Sequence, residues 1–71
     1  MRRKKEIQLK LDEKDRKIGY VYLPNHPGPQ VRLPLGVYQV ALGELVVNYK
    51  GPPIYLEFTK EGELIGIEII P

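Results

Sequence analysis

Two carboxylates on one face of a predicted hairpin have the clearest potential for chemistry in this sequence. Glu57 and Glu68 fall on one face of the same strand pair, close to Gly66, where a missing side chain leaves space. Paired carboxylates can share general acid and base roles. The same pair is also ordinary on a solvated sheet face, where Tyr55 would cover the glycine. We favour the structural interpretation and keep acid–base chemistry as the alternative.

Other catalytic groups are scarce. His26 is the only histidine and cysteine is absent, so a metal site would need carboxylates to complete it. Its place between Asn25 and Pro27 predicts a solvent-exposed loop histidine. Serine is also absent, and the one threonine, Thr59, adjoins an exposed turn, so nucleophilic catalysis lacks a candidate. We predict no catalytic residue, no metal site, no cofactor and no enzymatic activity.

Four basic residues open the chain: Arg2, Arg3, Lys4 and Lys5. Together with five tyrosines they resemble the parts with which small β-domains hold single-stranded nucleic acid. The predicted strand registers, however, place four of those tyrosines on apolar sides, and a terminal basic run is commonly a solubilising tail. We therefore predict a flexible basic arm over residues 1–5 and keep nucleic-acid contacts by these four residues as the alternative function.

Composition restricts the class of protein. Seventy-one residues with a net charge of +2 predict one domain over residues 1–71, with a thin core and no strong steering field. Without cysteine, packing must stabilise the fold, alone or shared across a dimer. The charged, Cys-free and Pro-rich composition is typical of thermophiles. No signal peptide or apolar run of membrane-spanning length is found, so we expect a cytoplasmic protein without membrane contact.

The sequence predicts that strands hold these residues in place. Apolar residues recur at period two, and no long apolar stripe at helical spacing is present. Ile7, Leu9 and Leu11 alternate with polar residues, and pairing Leu11 with Ile18 would set Leu9 against Tyr20. A Pro-rich loop over residues 24–29 then interrupts the ladder. We predict a short extended piece over residues 31–33 after it.

Two further hairpins are predicted. Gly43-Glu44 suits a two-residue type II′ turn between strands 37–42 and 45–49. In the last hairpin, a two-residue turn at Glu61-Gly62 would set Phe58, Leu56 and Ile54 against Ile65, Ile67 and Ile69 respectively. The fold predicted is all-β, a small antiparallel meander of five to six strands, curled or half-barrel in shape and completed by dimerisation.

The predicted registers leave apolar residues on the side opposite the main apolar face. These residues, a candidate interaction surface, are Val21, Leu23, Ala41 and Val46. A second buried surface would explain them, because a small sheet has edges and faces that must be covered.

The C-terminal segment also carries a family resemblance. Residues 54–70 resemble the closing segment of the small prokaryotic domain of unknown function 2283, in which an apolar strand and an acidic glycine turn precede a run matched here by Leu64-Ile-Gly-Ile-Glu-Ile-Ile70. Residues 18–23 resemble that family's early strand, whereas residues 2–11 are extra and the family's short tail is missing. The resemblance covers about half the chain. It implies a small β-rich protein, encoded in some genomes beside small toxin-like proteins, with no established catalytic residue.

From the residue pattern and the family resemblance together, we expect a non-catalytic protein-interaction or structural module, antitoxin-like or self-associating. Its expected partner is a second copy of the chain or a small partner protein.

Overall fold

The computed structural model describes residues 6–28 and 35–70 of the chain. Within them the elements follow in the order β1 (Gln8–Leu11), β2 (Gly19–Tyr22), β3 (Tyr38–Ala41), α1 (Leu42–Leu45), β4 (Ile54–Phe58) and β5 (Leu64–Ile69). The predicted arm over residues 1–5 and the extended piece over residues 31–33 lie outside the described residues.

The five strands form one open antiparallel sheet in the order β1-β2-β5-β4-β3. The all-β prediction is therefore confirmed. Strands β3, β4 and β5 follow one another as a meander, and β2 pairs with β5 instead of β3. The last strand of the chain is thus the central strand of the sheet, and β1 and β3 are its edges.

Strand β5 is the central strand of the sheet and the longest, with six residues. It pairs with β4 on one side, where Ile54, Leu56 and Glu57 lie opposite Ile69, Ile67 and Gly66, as the sequence predicted. The register shifts after Glu57, so that Phe58 lies opposite Leu64 and the predicted pairing with Ile65 is wrong.

The shift comes from the turn between β4 and β5. The Gly62 amide donates to the Thr59 carbonyl at 2.9 Å, and the Thr59 amide donates to the Glu63 carbonyl at 2.9 Å. Three residues, Lys60 to Gly62, therefore connect the strands instead of two. Gly62 has a φ of 91°, the left-handed conformation that ends a three-residue hairpin loop.

The β1–β2 hairpin was predicted correctly as an element but its register was wrong by one residue. Leu9 lies opposite Val21 and Lys10 opposite Tyr20. The loop sets this register, because the Asp12 amide donates to the Ile18 carbonyl at 2.9 Å. The Asp12 carboxylate also accepts from the Lys14 amide at 2.7 Å. As a result Tyr20 and Tyr22 change to the face of the sheet opposite to the predicted one.

The predicted hairpin at Gly43-Glu44 is absent from the described residues. Leu42–Leu45 forms one helical turn, closed by the Val46 amide donating to the Leu42 carbonyl at 3.1 Å. Strand β3 pairs directly with β4, with Ala41 opposite Tyr55. The physical reason is that β4 gains two strand neighbours, whereas an intervening hairpin would have separated it from β3.

The strand pairings divide the sheet into two faces. The apolar face carries Leu9, Leu11, Gly19, Val21, Tyr38, Val40, Ile54, Leu56, Phe58, Ile67 and Ile69. The polar face carries Gln8, Lys10, Tyr20, Tyr22, Gln39, Ala41, Tyr55, Glu57, Gly66 and Glu68. The molecule measures 45 × 32 × 19 Å. It is thin in one direction because it is built on a single sheet.

Candidate functional site

Within residues 6–28 and 35–70, the apolar face of the sheet is a candidate binding surface. Its side chains on the inner strands are half-buried, and the exposed fractions rise toward the edges, to 62% for Leu9 on β1 and 46% for Tyr38 on β3. Ile65, which the register shift leaves without a partner residue on β4, is the only hydrophobic side chain of the described residues that is fully buried, at 1% exposure. A sheet with a covered face would bury several such side chains.

The apolar face also carries no charged residue. Every position is aliphatic or aromatic apart from Gly19. Toward the β3 edge, Tyr38 and Phe58 stack with ring centroids 5.6 Å apart, which fixes the two rings on this face. The face therefore offers hydrophobic contact over its whole width.

The polar face is organised around Gly66. Tyr20 leans from β2 across this glycine, and its hydroxyl donates a hydrogen bond to the Glu57 carboxylate on β4. A Cβ at position 66 would meet the Tyr20 ring, with Cε2 at 2.9 Å and the hydroxyl closer still. Glycine is thus required for the link between β2 and β4. The sequence predicted an aromatic cover for Gly66, but the residue is Tyr20 and not Tyr55.

The position of Tyr20 over Gly66 changes the pKa of its phenol. Burial raises the pKa of the Tyr20 phenol well above its usual value, and the hydrogen bond to Glu57 and the charge of that carboxylate raise it further. The neutral phenol is a hydrogen-bond donor, so this environment keeps the donor in place over the physiological pH range.

A second link crosses the polar face in the other direction. The Gln39 amide on β3 donates to the Glu68 carboxylate on β5 at 2.9 Å. Glu57 and Glu68, the predicted carboxylate pair, are therefore brought to one face, and each accepts a hydrogen bond from a neutral side chain. Both links join strands that are not neighbours, an arrangement that supports the shape of the sheet.

His26 is not the exposed loop residue that the sequence predicted. It is 6% exposed and packs edge-on against Tyr22 and Tyr20, with ring centroids 4.8 and 5.7 Å away. The cause is a turn in which the His26 amide donates to the Leu23 carbonyl at 2.9 Å and folds the ring back over β2. The ring nitrogen Nδ1 accepts from the Gly28 amide at 2.8 Å. Among residues 6–28 and 35–70, no group of three or more His, Cys, Asp or Glu residues is placed to hold a metal ion.

Some of the described residues line small clefts near the sheet. One of about 220 Å³ is lined by Glu6, Gln8, Tyr22, Leu23, His26, Pro27 and Gly28. Another, of about 240 Å³, is lined by Ala41, Gly43, Tyr49, Gly51, Pro53, Ile54 and Tyr55. Both are below the roughly 300 Å³ at which small-molecule sites begin. Neither cleft is therefore a better candidate binding site than the apolar face.

The four residues predicted as an interaction surface do not meet. Val21 is on the apolar face opposite Ile67, and Leu23 continues that ladder by donating to the Ile65 carbonyl at 3.1 Å. Ala41 lies on the polar face, and Val46 is 46% exposed just after α1. The one-residue difference in the β1–β2 register moves Val21 to the main apolar face. The sequence pattern does not identify Leu9 and Tyr38 as the exposed margins of this face, because strand order decides which strands are edges.

The nucleic-acid alternative relied on two features. The basic residues Arg2, Arg3, Lys4 and Lys5 lie outside the described residues. Three tyrosines do share the polar face, but Glu57 and Glu68 stand among them and place negative charge where phosphates would approach. The described surface therefore does not favour a nucleic acid.

Comparison with known proteins gave no match to a family model, to a curated protein or to a solved structure. The resemblance of residues 54–70 to the domain of unknown function 2283 stays a prediction. In the described part of the chain, no helix has the length and apolar character needed to cross a membrane.

Proposed function

We propose that this chain is a non-catalytic protein-interaction or structural module that covers its apolar sheet face with another protein. The partner is either a second copy of the chain or a small partner protein such as a toxin-like one. The observation that supports this most directly is an uncharged five-stranded face on which the large side chains are only half-buried.

Physical reasoning connects that observation to binding. Stable domains bury the apolar face of a sheet against a second layer, and the described residues provide only one helical turn outside the sheet. An association partner would remove the exposed apolar side chains of this face from water.

The polar face also supports binding through the opposite, apolar face. Its two links, Tyr20 to Glu57 and Gln39 to Glu68, satisfy the carboxylates within the sheet without a charged partner. Such a face is suited to contact with water. The binding face is therefore the apolar one.

The test uses two adjacent residues on opposite faces of β1. Gln8 and Leu9 are both exposed, so replacing either with glutamate changes the net charge equally and leaves the buried residues untouched. Wild-type chain and the variants Leu9→Glu and Gln8→Glu are each immobilised and offered purified chain and source-cell extract.

The proposal expects protein retained by the wild type to be lost at least tenfold with Leu9→Glu and kept with Gln8→Glu, because only the first places a charge on the binding face. Equal retention by all three chains, or no retained protein together with a monomeric chain, would contradict the proposal. Circular dichroism of each variant provides the folding control.

A further inference from the structure

We infer that the protein covering the apolar face is a second copy of this chain, packed face to face as a two-sheet sandwich. This inference rests on the proposed function and names its partner. It places β5 of one copy over β5 of the other.

The charge pattern of the face favours self-association. A surface that carries no charge meets its own copy without placing like charges together, whatever the rotation about the contact. It also offers no charged group to select a different partner by complementarity. The glutamates and Lys10 of the sheet are on the polar face and point away from such a contact.

The size of the face is at the lower end of what a small, weak dimer needs. Five strands about 4.8 Å apart and roughly 17 Å long give a flat footprint of about 400 Å². Side-chain relief makes the accessible area larger than the footprint. Two such faces together approach the roughly 1,000 Å² of a specific interface.

The strand order fixes what lies at the centre. Because β5 is the middle strand, a two-fold axis in the plane of the contact and through the middle of the face places β5 over its own copy. Two sheets then stand about 10 Å apart, as in ordinary β-sandwiches. Ile67 and Ile69 become the centre of a shared core, and Leu9 and Tyr38 form its margins.

Sedimentation equilibrium tests the stoichiometry over about 1 to about 300 µM, a range across which mass action shifts a weak dimer. The wild type and Gln8→Glu should rise from 8.2 kDa toward twice that mass. Leu9→Glu should associate at least tenfold more weakly. A wild-type mass fixed at 8.2 kDa would overturn the inference, as would equal weakening by both substitutions.

A measurement on the unmodified sequence tests the geometry. In a mixture of isotope-labelled and unlabelled chains, filtered NOE spectra should show contacts between isoleucine methyl groups of different copies, from Ile67 and Ile69. A dimer without such contacts would use another surface and would overturn the inference.

The same experiments distinguish a failed dimer from a failed binding face. A monomer that retains another protein through the Leu9 face removes the second copy and leaves the proposed function in place. A monomer that retains nothing removes both.

Discussion

At the residue scale, Tyr20 has the most connected position in the structure. Its ring covers Gly66, contacts Tyr22 at a centroid distance of 4.6 Å and carries the hydroxyl that donates to Glu57. This one side chain spans β2, β5 and β4. Removing this side chain should therefore destabilise the packing of β2, β5 and β4 against one another.

Removing only the hydroxyl tests the link. Tyr20→Phe keeps the ring over Gly66 and leaves the Glu57 carboxylate without its donor, so we expect a loss of about 1 kcal/mol in the free energy of unfolding. Tyr55→Phe is the matched control, because its hydroxyl has no hydrogen bond within the described residues, and it should change stability by less than about 0.5 kcal/mol. Urea denaturation measures both. Equal effects of the two substitutions would show that the link contributes nothing.

The same residue predicts a dependence on alkaline pH. The folded protein raises the pKa of Tyr20, so above about pH 10 the unfolded chain loses this proton while the folded protein keeps it. The unfolded state then binds fewer protons, and stability falls as pH rises. The stability advantage of the wild type over Tyr20→Phe should shrink between about pH 9 and pH 11. Parallel pH profiles for the two proteins would argue against the shifted phenol.

At the element scale, the last hairpin shows what the sequence could predict. Alternation in β4 and β5 placed six apolar residues on one face, and the register is as predicted from Ile54 to Glu57. The failure begins at the turn, where a three-residue loop replaces the predicted two-residue one. Both loops suit glycine at position 62, so the local sequence could not choose between them.

The backbone of Gly62 supplies the prediction for this element. Its φ of 91° is costly for a residue with a Cβ, although a Cβ there would meet nothing within 4 Å. We expect Gly62→Ala to lower the free energy of unfolding by about 1–2 kcal/mol through backbone strain alone, and Gly62→Asn to cost less, since asparagine tolerates this conformation. Thermal or urea denaturation checks the order. If alanine were tolerated as well as asparagine, the turn would have a different conformation.

The first hairpin failed for a different reason. Strand β2 is apolar on both faces, with Tyr20 and Tyr22 on one and Val21 on the other, so period two cannot say which side faces the core. Hydrogen bonds in the loop decide the register, and the carboxylates of Asp12 and Asp15 take part in them.

The environment of His26 and the Tyr20–Glu57 link were beyond prediction for a related reason. The Tyr20–Glu57 link depends on strand order, and the His26 environment depends on the turn after β2 and on the face that the β1–β2 register gives to Tyr20 and Tyr22. Tyr20 reaches Glu57 only because β5, and not β3, lies beside β2. A sequence pattern predicts which strands form hairpins with the next strand along the chain. It does not predict which distant strands pair, as β2 and β5 do here.

At the scale of the whole molecule, we infer that the sheet is one half of a packed unit. Two strand edges, one uncharged face and a single buried large hydrophobic side chain among the described residues define an incomplete core. Completing it by association would join folding to binding, as in dimers whose separate subunits are barely stable.

The dependence of unfolding on protein concentration tests this claim most directly. If folding and dimerisation are linked, raising the chain concentration a hundredfold should stabilise the folded state by about 2.7 kcal/mol per dimer and move the thermal midpoint upward. Leu9→Glu should lower the thermal midpoint at every concentration, because it weakens the contact without touching a buried residue. A wild-type midpoint that stays constant from micromolar to near-millimolar concentration would contradict the account.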